Sequence, residues 1–550
     1  MSVSTSACSS RGRSAAACVC FVALTLITLR ADTYPRQPGV DVIHYVFRLS
    51  FTPGSNGQIT GETTIGARIL TAGTHEIALD LTSANANGKG MTVSSVVSGA
   101  DALTFRHANN RLTVTLPDAP RAGERVMFTV KYGGIAAAGL KFIDNIHEEP
   151  TVFSENWPNQ AHHWLPTIDH PYDKATGEFI VTTSNQYQVV ANGVLIEELD
   201  LPNGLRQTHW TQSVPIATWL YAIGVARFSS HHAGSVNGIP LQTWVFPQDR
   251  ERGQALFESL SRRALAFFDE HVGRYSYEKL ANVQAAGASG GMEHATVIHY
   301  GEKEVAEGRG PVVHEIAHQW FGNSVTERDW DDVWLSEGFA TYFDFLFTEH
   351  DAGRDAFVER VKRSRDTVLQ LTRKLPDTPI IHRNLADMEK VLNQLIYQKG
   401  AWVLHMLRNH IGDAAFWVGI RDYYARHQNQ NASTSDLRAS MEDAADLNLE
   451  WFFDQWLTRS GVPKVEGEWR YDAVRKQVEV TVRQTQPADA FRISFEVGVT
   501  GNDGRMVRQK AGTDRKLERY TIPFDSPPAS VVLDPGAWLL FEAGPFTESR

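Results

Sequence analysis

The stretch that most limits how this chain can fold is His314-Glu315-Ile316-Ala317-His318. In an extended strand two residues four apart would be separated by about 13 Å, too far for their side chains to share an ion. On an α-helix they lie on one face about a turn apart, and both imidazoles can reach one metal. A helix is therefore expected here. Two histidines leave an ion under-coordinated, because a catalytic zinc takes three protein ligands and keeps one position open for water or substrate. Glu337 is the candidate third ligand. It lies 19 positions after His318, in Trp334-Leu335-Ser336-Glu337-Gly338-Phe339-Ala340, at the start of another helical run. Two antiparallel helices joined by a short turn would bring it to the metal. Glu315, beside the first ligand, is placed to act as general base on a water at the open position.

The rest of the chain divides by hydrophobic period. From Tyr34 to about Phe228 short alternating runs, such as Tyr45-Val46-Phe47-Arg48-Leu49 and Arg111-Leu112-Thr113-Val114-Thr115, alternate with Gly, Pro, Asn and Asp. This predicts a β-rich domain of sandwich type. Ser229-Ser230-His231-His232-Ala233-Gly234 reads as a junction. From about Asp249 the period becomes helical and stays so to about Ser460, with a start signal at Ser433-Thr434-Ser435-Asp436. Trp451, Phe452, Phe453 and Trp456 read as a packed core seam. After Gly461-Val462-Pro463 alternation returns, as in Val478-Glu479-Val480-Thr481-Val482. The expected architecture is multidomain α+β: residues 32–237 an N-terminal β-sandwich-like domain, 238–461 an α-rich catalytic domain, and 462–550 a small C-terminal β-domain.

Residues 1–31 stand apart. Arg11 and Arg13 precede an apolar run from Ala15 to Leu29, and a basic region before a short apolar one reads as an export signal. The run is shorter than the roughly 20 residues of a membrane-spanning helix. The expectation is therefore an exported protein, periplasmic or extracellular, without stable membrane insertion once the segment is removed. The alternative is an N-terminal membrane anchor. Cys8, Cys18 and Cys20 are the only cysteines, so the chain beyond residue 31 has no thiol with which to build a disulfide or a metal site. A net charge of -11 makes nucleic acid an unexpected partner. His162, His163, His231, His232 and His299 lack ligand spacing and read as surface or structural histidines.

With these residues in view, the chain resembles the zinc aminopeptidases of the aminopeptidase N type, the gluzincin group that also includes a leukotriene hydrolase. That family's H-E-x-x-H, eighteen residues, then E, is reproduced from His314 to Glu337. The neighbouring words His318-Gln319-Trp320-Phe321-Gly322-Asn323 and Trp334-Leu335-Ser336-Glu337-Gly338 match as well. Gly290-Gly291-Met292-Glu293-His294 resembles the family's G-x-M-E-N, with His294 in place of Asn. Ala161-His162-His163-Trp164-Leu165-Pro166 through Pro171 resembles a segment of its first domain, and Trp157 departs from the pattern just ahead of it. Tyr397-Gln398-Lys399-Gly400 and Val532-Leu533-Asp534-Pro535 match further on.

The resemblance implies a thermolysin-like catalytic domain holding one Zn²⁺ per chain and peptide substrates with a free N-terminus. It implies that Glu293, with Gly290, Gly291 and Met292, binds the substrate's amine, and that Tyr397 hydrogen-bonds the tetrahedral intermediate. The expected activity is hydrolysis of the N-terminal peptide bond by zinc, Glu315 and Tyr397. A zinc endopeptidase or a small-molecule hydrolase would share the metal site. A silent binding module is the reading of another class; the intact His314, Glu315, His318, Glu337 and Tyr397 argue against it.

Overall fold

The structure, a computed structural model, describes residues 32–381, 388 and 391–549, so the segment read as an export signal lies outside the described residues. Among the described residues no helix is long and apolar enough to cross a membrane.

The first domain is built on an eight-stranded sheet in which Val40–Ser50 pairs antiparallel with Gln58–Ile69 and parallel with Lys174–Ser184. Val42, Tyr45, Phe47 and Leu49 are all buried. Strict alternation would not bury both 42 and 45; a register shift between Val42 and His44 resets the phase. A four-stranded sheet containing Pro150–Ser154 and a three-stranded sheet containing Glu76–Asp80 complete the domain. It therefore has three sheets, where the sequence suggested the two of a sandwich.

The central domain opens with a five-stranded sheet whose order is Ser229–Val236, Ile239–Val245, Leu280–Ala285, Val297–Gly301, Gly291–Met292. The three inner strands run parallel and the two edges antiparallel. Residues 229–234, read as a junction, are in fact part of an edge strand, with His231 opposite Thr243. Helix α1 (Arg250–His271) connects the second and third strands of this order. Then come α2 (Val312–His318), α3 (Trp334–Ala352), α4 (Arg354–Lys374) and α5 (Gln394–Ile411). The start signal near Ser433 is a capping box with Asp436 ahead of helix Thr434–Ala445. Phe452, Phe453 and Trp456 are buried in the core seam. The last domain is two sheets, one with Lys464–Asp472 beside Gln477–Gln484 and one centred on Ile493–Thr500.

Two buried lysines tie the first domain to the second in opposite directions. Lys174 donates to the Asn323 and Ser324 carbonyls (2.9 and 2.8 Å). Lys279 donates to the Ala191 carbonyl (2.8 Å) and the Gly193 carbonyl, with its ammonium 4.8 Å from the Trp210 ring centre. Burial pushes both ammonium groups down to about 7. In the unfolded chain each titrates near about 10.4. Between about pH 7 and about pH 10 unfolding therefore takes up a proton at each lysine, so stability rises with pH across that window and falls as pH returns to 7. Glu327, raised to about 8, acts the other way below pH 8, so the lysine contribution is read as a difference: the melting temperature of the wild type is expected to gain on that of Lys279→Met between pH 7 and pH 9.5. A gap that stays constant with pH would contradict this.

Candidate metal centre

Helix α2 is short, and Val312, Val313, Ile316 and Ala317 are buried along with Glu315 and His318, so it packs on nearly every side. Its chain turns away through Gly322 at φ 110°, where a Cβ would lie 2.2 Å from Ser336 Oγ. Only glycine fits there. That close approach matters because Ser336 and the Phe321 carbonyl both face His318 Nδ1, at 3.0 and 3.2 Å. The Nδ1 proton is held on that side, which leaves the Nε2 lone pair pointing the other way.

Helix α3 brings in Glu337. It crosses α5 at a glycine pair: a Cβ on Gly338 would lie 3.0 Å from Gly400 Cα. This backbone contact sets Tyr397, on the first turn of α5, beside Glu337 and stacks it near the His314 ring (centroids 6.2 Å, 20°). His314 Nε2, His318 Nε2 and Glu337 Oε2 then form a triangle with sides of 3.2, 3.3 and 3.4 Å. Three ligands about 2.0–2.1 Å from a tetrahedral ion would stand roughly 3.3–3.4 Å apart. Two lone pairs and a carboxylate oxygen facing each other at this distance repel unless a cation lies between them, and Glu337 Oε2 is buried without a hydrogen-bond partner. Two imidazoles, one carboxylate and an open side form the donor set of a catalytic zinc.

Glu315 and Glu293 flank the triangle. Glu315 packs on the bare backbone of Gly291, where a Cβ would meet its Oε1 at 2.4 Å. Glu293 follows strand Gly291–Met292, and its Oε1 is 3.8 Å from His318 Nδ1. Burial raises the pKa of both carboxyls. Glu337 is held low: burial opposes its ionisation, and the facing His318 and His314 outweigh it. Tyr397 is pushed up by burial and by Glu337. A cavity of about 370 Å³, lined by Gly290, Gly291, Glu293, Glu315, the three candidate ligands and Tyr397, continues along α3 to Asp344 and Arg360. Of the site residues read from the sequence, all but Met292 line this one cavity, and Met292 is buried.

The structure adds two carboxylates that the sequence did not point out. Burial raises Glu155 to about 7, with Lys141 opposing and Glu293 adding to the rise. An acidic residue directly after the buried strand Pro150–Ser154 is the signal that could have found it. Glu327 is buried with neither oxygen hydrogen-bonded and is raised to about 8, largely by burial. No feature of its sequence context marks it out.

The two departures are also explained by packing. Trp157 meets Trp219 and Trp330 edge to face (4.8 and 4.9 Å), spanning the first and central domains. His294 is fully buried against His299 (4.7 Å), and burial keeps its ring neutral. Of the other histidines, His162 pairs with Asp169 (2.7 Å), His163 with Thr82 (2.7 Å) and His231 with Glu258 (2.5 Å), while His232 is exposed on the edge strand. Among the described residues, both groups of three that could hold a cation belong to this one centre.

Compared with known proteins, residues 259–456 match the model of the Peptidase family M1 domain, and residues 42–220 that of the Peptidase M1 N-terminal domain. The glutamyl aminopeptidase of Bos taurus is 28% identical over 385 residues, which is 65% of this chain and 39% of the relative. That of Homo sapiens is 27% identical over 448 residues, 75% of this chain and 46% of the relative. The chain thus spans less than half the length of these curated relatives. Among solved structures, Legionella pneumophila aminopeptidase A in complex with aspartic acid aligns with a TM-score of 0.78 at 17% identity, covering 93% of this chain and 60% of that one. The M1 zinc metallopeptidase of Deinococcus radiodurans aligns with a TM-score of 0.67 at 25% identity, covering 79% and 97%.

Proposed function

Because this chain belongs to peptidase family M1, we propose that it is a zinc-dependent aminopeptidase that removes single residues from the free N-terminus of peptides. The observation that carries this reading is a buried carboxylate, Glu293, set beside a three-donor centre and its adjacent base.

Zinc held by His314, His318 and Glu337 supplies Lewis acidity, lowering the pKa of water to about 7 and polarising a carbonyl. The chain's own residues do the rest. Glu315 accepts the proton of the attacking water and delivers it to the departing nitrogen. Its burial raises its proton affinity, which suits a group that must take and return a proton. Tyr397, which burial keeps protonated, donates a hydrogen bond to the oxyanion developing on the carbonyl. Glu293 holds the substrate's ammonium, so the cut falls after one residue.

Mass spectrometry of a five-residue peptide with a free amine tests the proposal. Stepwise loss of single N-terminal residues is expected. A first cut at an internal bond would contradict it and favour an endopeptidase. Gly291→Ala gives a sharper test of the base, since the new methyl occupies the space of the Glu315 carboxyl. It is expected to keep its zinc and lose about 10²-fold in kcat, the cost of displacing a reacting group by about 1 Å. Unchanged kcat would contradict the role given to Glu315.

Export is part of the same reading, supported by Arg11, Arg13 and the apolar run from Ala15 to Leu29. N-terminal sequencing of the protein purified from outside the cytoplasm tests it: a start near residue 32 is expected, and an intact N-terminus would favour an anchor.

A further inference from the structure

Beyond the three candidate ligands the cavity follows one face of α3, lined by Glu337, Thr341, Asp344 and Phe345 at helical spacing. At its far end stands Arg360, the one Lys or Arg among the described residues lining it. Arg360 Nη1 donates to Asp344 Oδ1 (3.0 Å), the Asp344 carbonyl (3.3 Å) and Thr348 Oγ1 (2.6 Å), and Nη2 donates to Asp344 Oδ2. These contacts occupy the end of the guanidinium and tie α4 to α3. A guanidinium carries five N–H groups. The Nε proton and the second Nη2 proton have no hydrogen-bond partner among the described residues, and the guanidinium face lies over the Phe345 ring (4.9 Å). They lie on the side edge of the fork, which matches a carboxylate with two parallel hydrogen bonds. The Arg360 side chain is 31% exposed and lines the cavity, while Asp344 fixes the fork's position.

We propose that Arg360 binds the C-terminal carboxylate of short peptide substrates and so sets a preferred length. The inference rests on the aminopeptidase reading above, because it needs the substrate's other end fixed at Glu293. Asp344 lies seven residues after Glu337, about 10 Å along the helix axis at about 1.5 Å per residue. An extended peptide covers about 3.3–3.6 Å per residue. Three residues therefore fit between the cleaved bond and Arg360, and with the N-terminal residue the favoured substrate is a tetrapeptide ending in a free carboxylate. Asp344 balances the guanidinium charge when the site is empty, and an arginine between two carboxylates uses both edges of its fork.

The test compares kcat/KM for tri-, tetra- and penta-alanine, each as free acid and as C-terminal amide, in the wild type and in Arg360→Gln. The wild type is expected to favour the acid over the amide by about ten- to a hundredfold at four residues, the fold-change of a charge-assisted contact, and by less at three and five. In Arg360→Gln the acid-to-amide ratio is expected to fall near one. Equal rates for acid and amide in the wild type would overturn the proposal even if the variant failed to fold. A ratio that persists in the variant would overturn it as well, leaving the Arg360–Asp344 pair as a strut between helices. Cleavage with no acid preference defeats this inference alone; absence of cleavage of every free-amine peptide defeats the aminopeptidase reading and this inference with it.

Discussion

Glu315→Gln is expected to retain one zinc per chain and lose about 10²–10⁴-fold in kcat, the usual contribution of a positioned general base. The amide has the shape of the carboxylate, so it packs on Gly291 as before and leaves His314, His318 and Glu337 in place. What it lacks is the ability to accept a proton at any accessible pH. Metal analysis and steady-state kinetics on the same preparation separate the two effects. A variant that holds zinc and keeps near-wild-type kcat would show that another group moves the proton, and Glu293, close to the same imidazole, would be the first to consider.

Glu293→Gln is the second large effect. An ammonium desolvated beside the metal centre needs a fixed opposite charge, and removing one partner of a buried charge pair costs about 2–5 kcal/mol. On that basis kcat/KM for free-amine substrates is expected to fall on the order of 10²–10³. The advantage of a free over an acetylated N-terminus should shrink with it. Glu155 lies close enough to Glu293 for the Glu293 charge to add to the rise in its proton affinity, which makes it a second acidic group able to share the ammonium. The double variant Glu155→Gln/Glu293→Gln should therefore lose more than Glu293→Gln alone. If the single variant kept its preference for free amines, Glu293 would not be the amine's anchor.

The centre was legible because helical spacing is a local property. A spacing of four from His314 to His318 dictates a shared face whatever surrounds them, and the same period placed Glu337 on a second helix. What joins the two is not local. The contact of Gly338 with Gly400 links positions 62 residues apart, and nothing short-range distinguishes those glycines from others in the chain. Glu155 escaped notice for the same reason: its importance comes from Glu293, on another domain. In the fold, alternation found strands but not their pairing, so three sheets were read as a sandwich. Ser229–Val236 was misread because an edge strand can be polar and half exposed, as His231 and His232 are, and then looks like a loop. Ser433 and Asp436 were readable because a capping box is contained within four residues.

The zinc centre is expected to act only on substrates presenting a free amine. The most direct measurement takes purified residues 32–550 and a panel of aminoacyl fluorogenic amides, each with a free and an acetylated N-terminus. Rates are followed before and after zinc chelation and after zinc is restored. Cleavage confined to the free-amine set, abolished by the chelator and recovered with zinc, is the predicted result. Cleavage of the acetylated set at comparable rates, or activity that survives chelation, would contradict it.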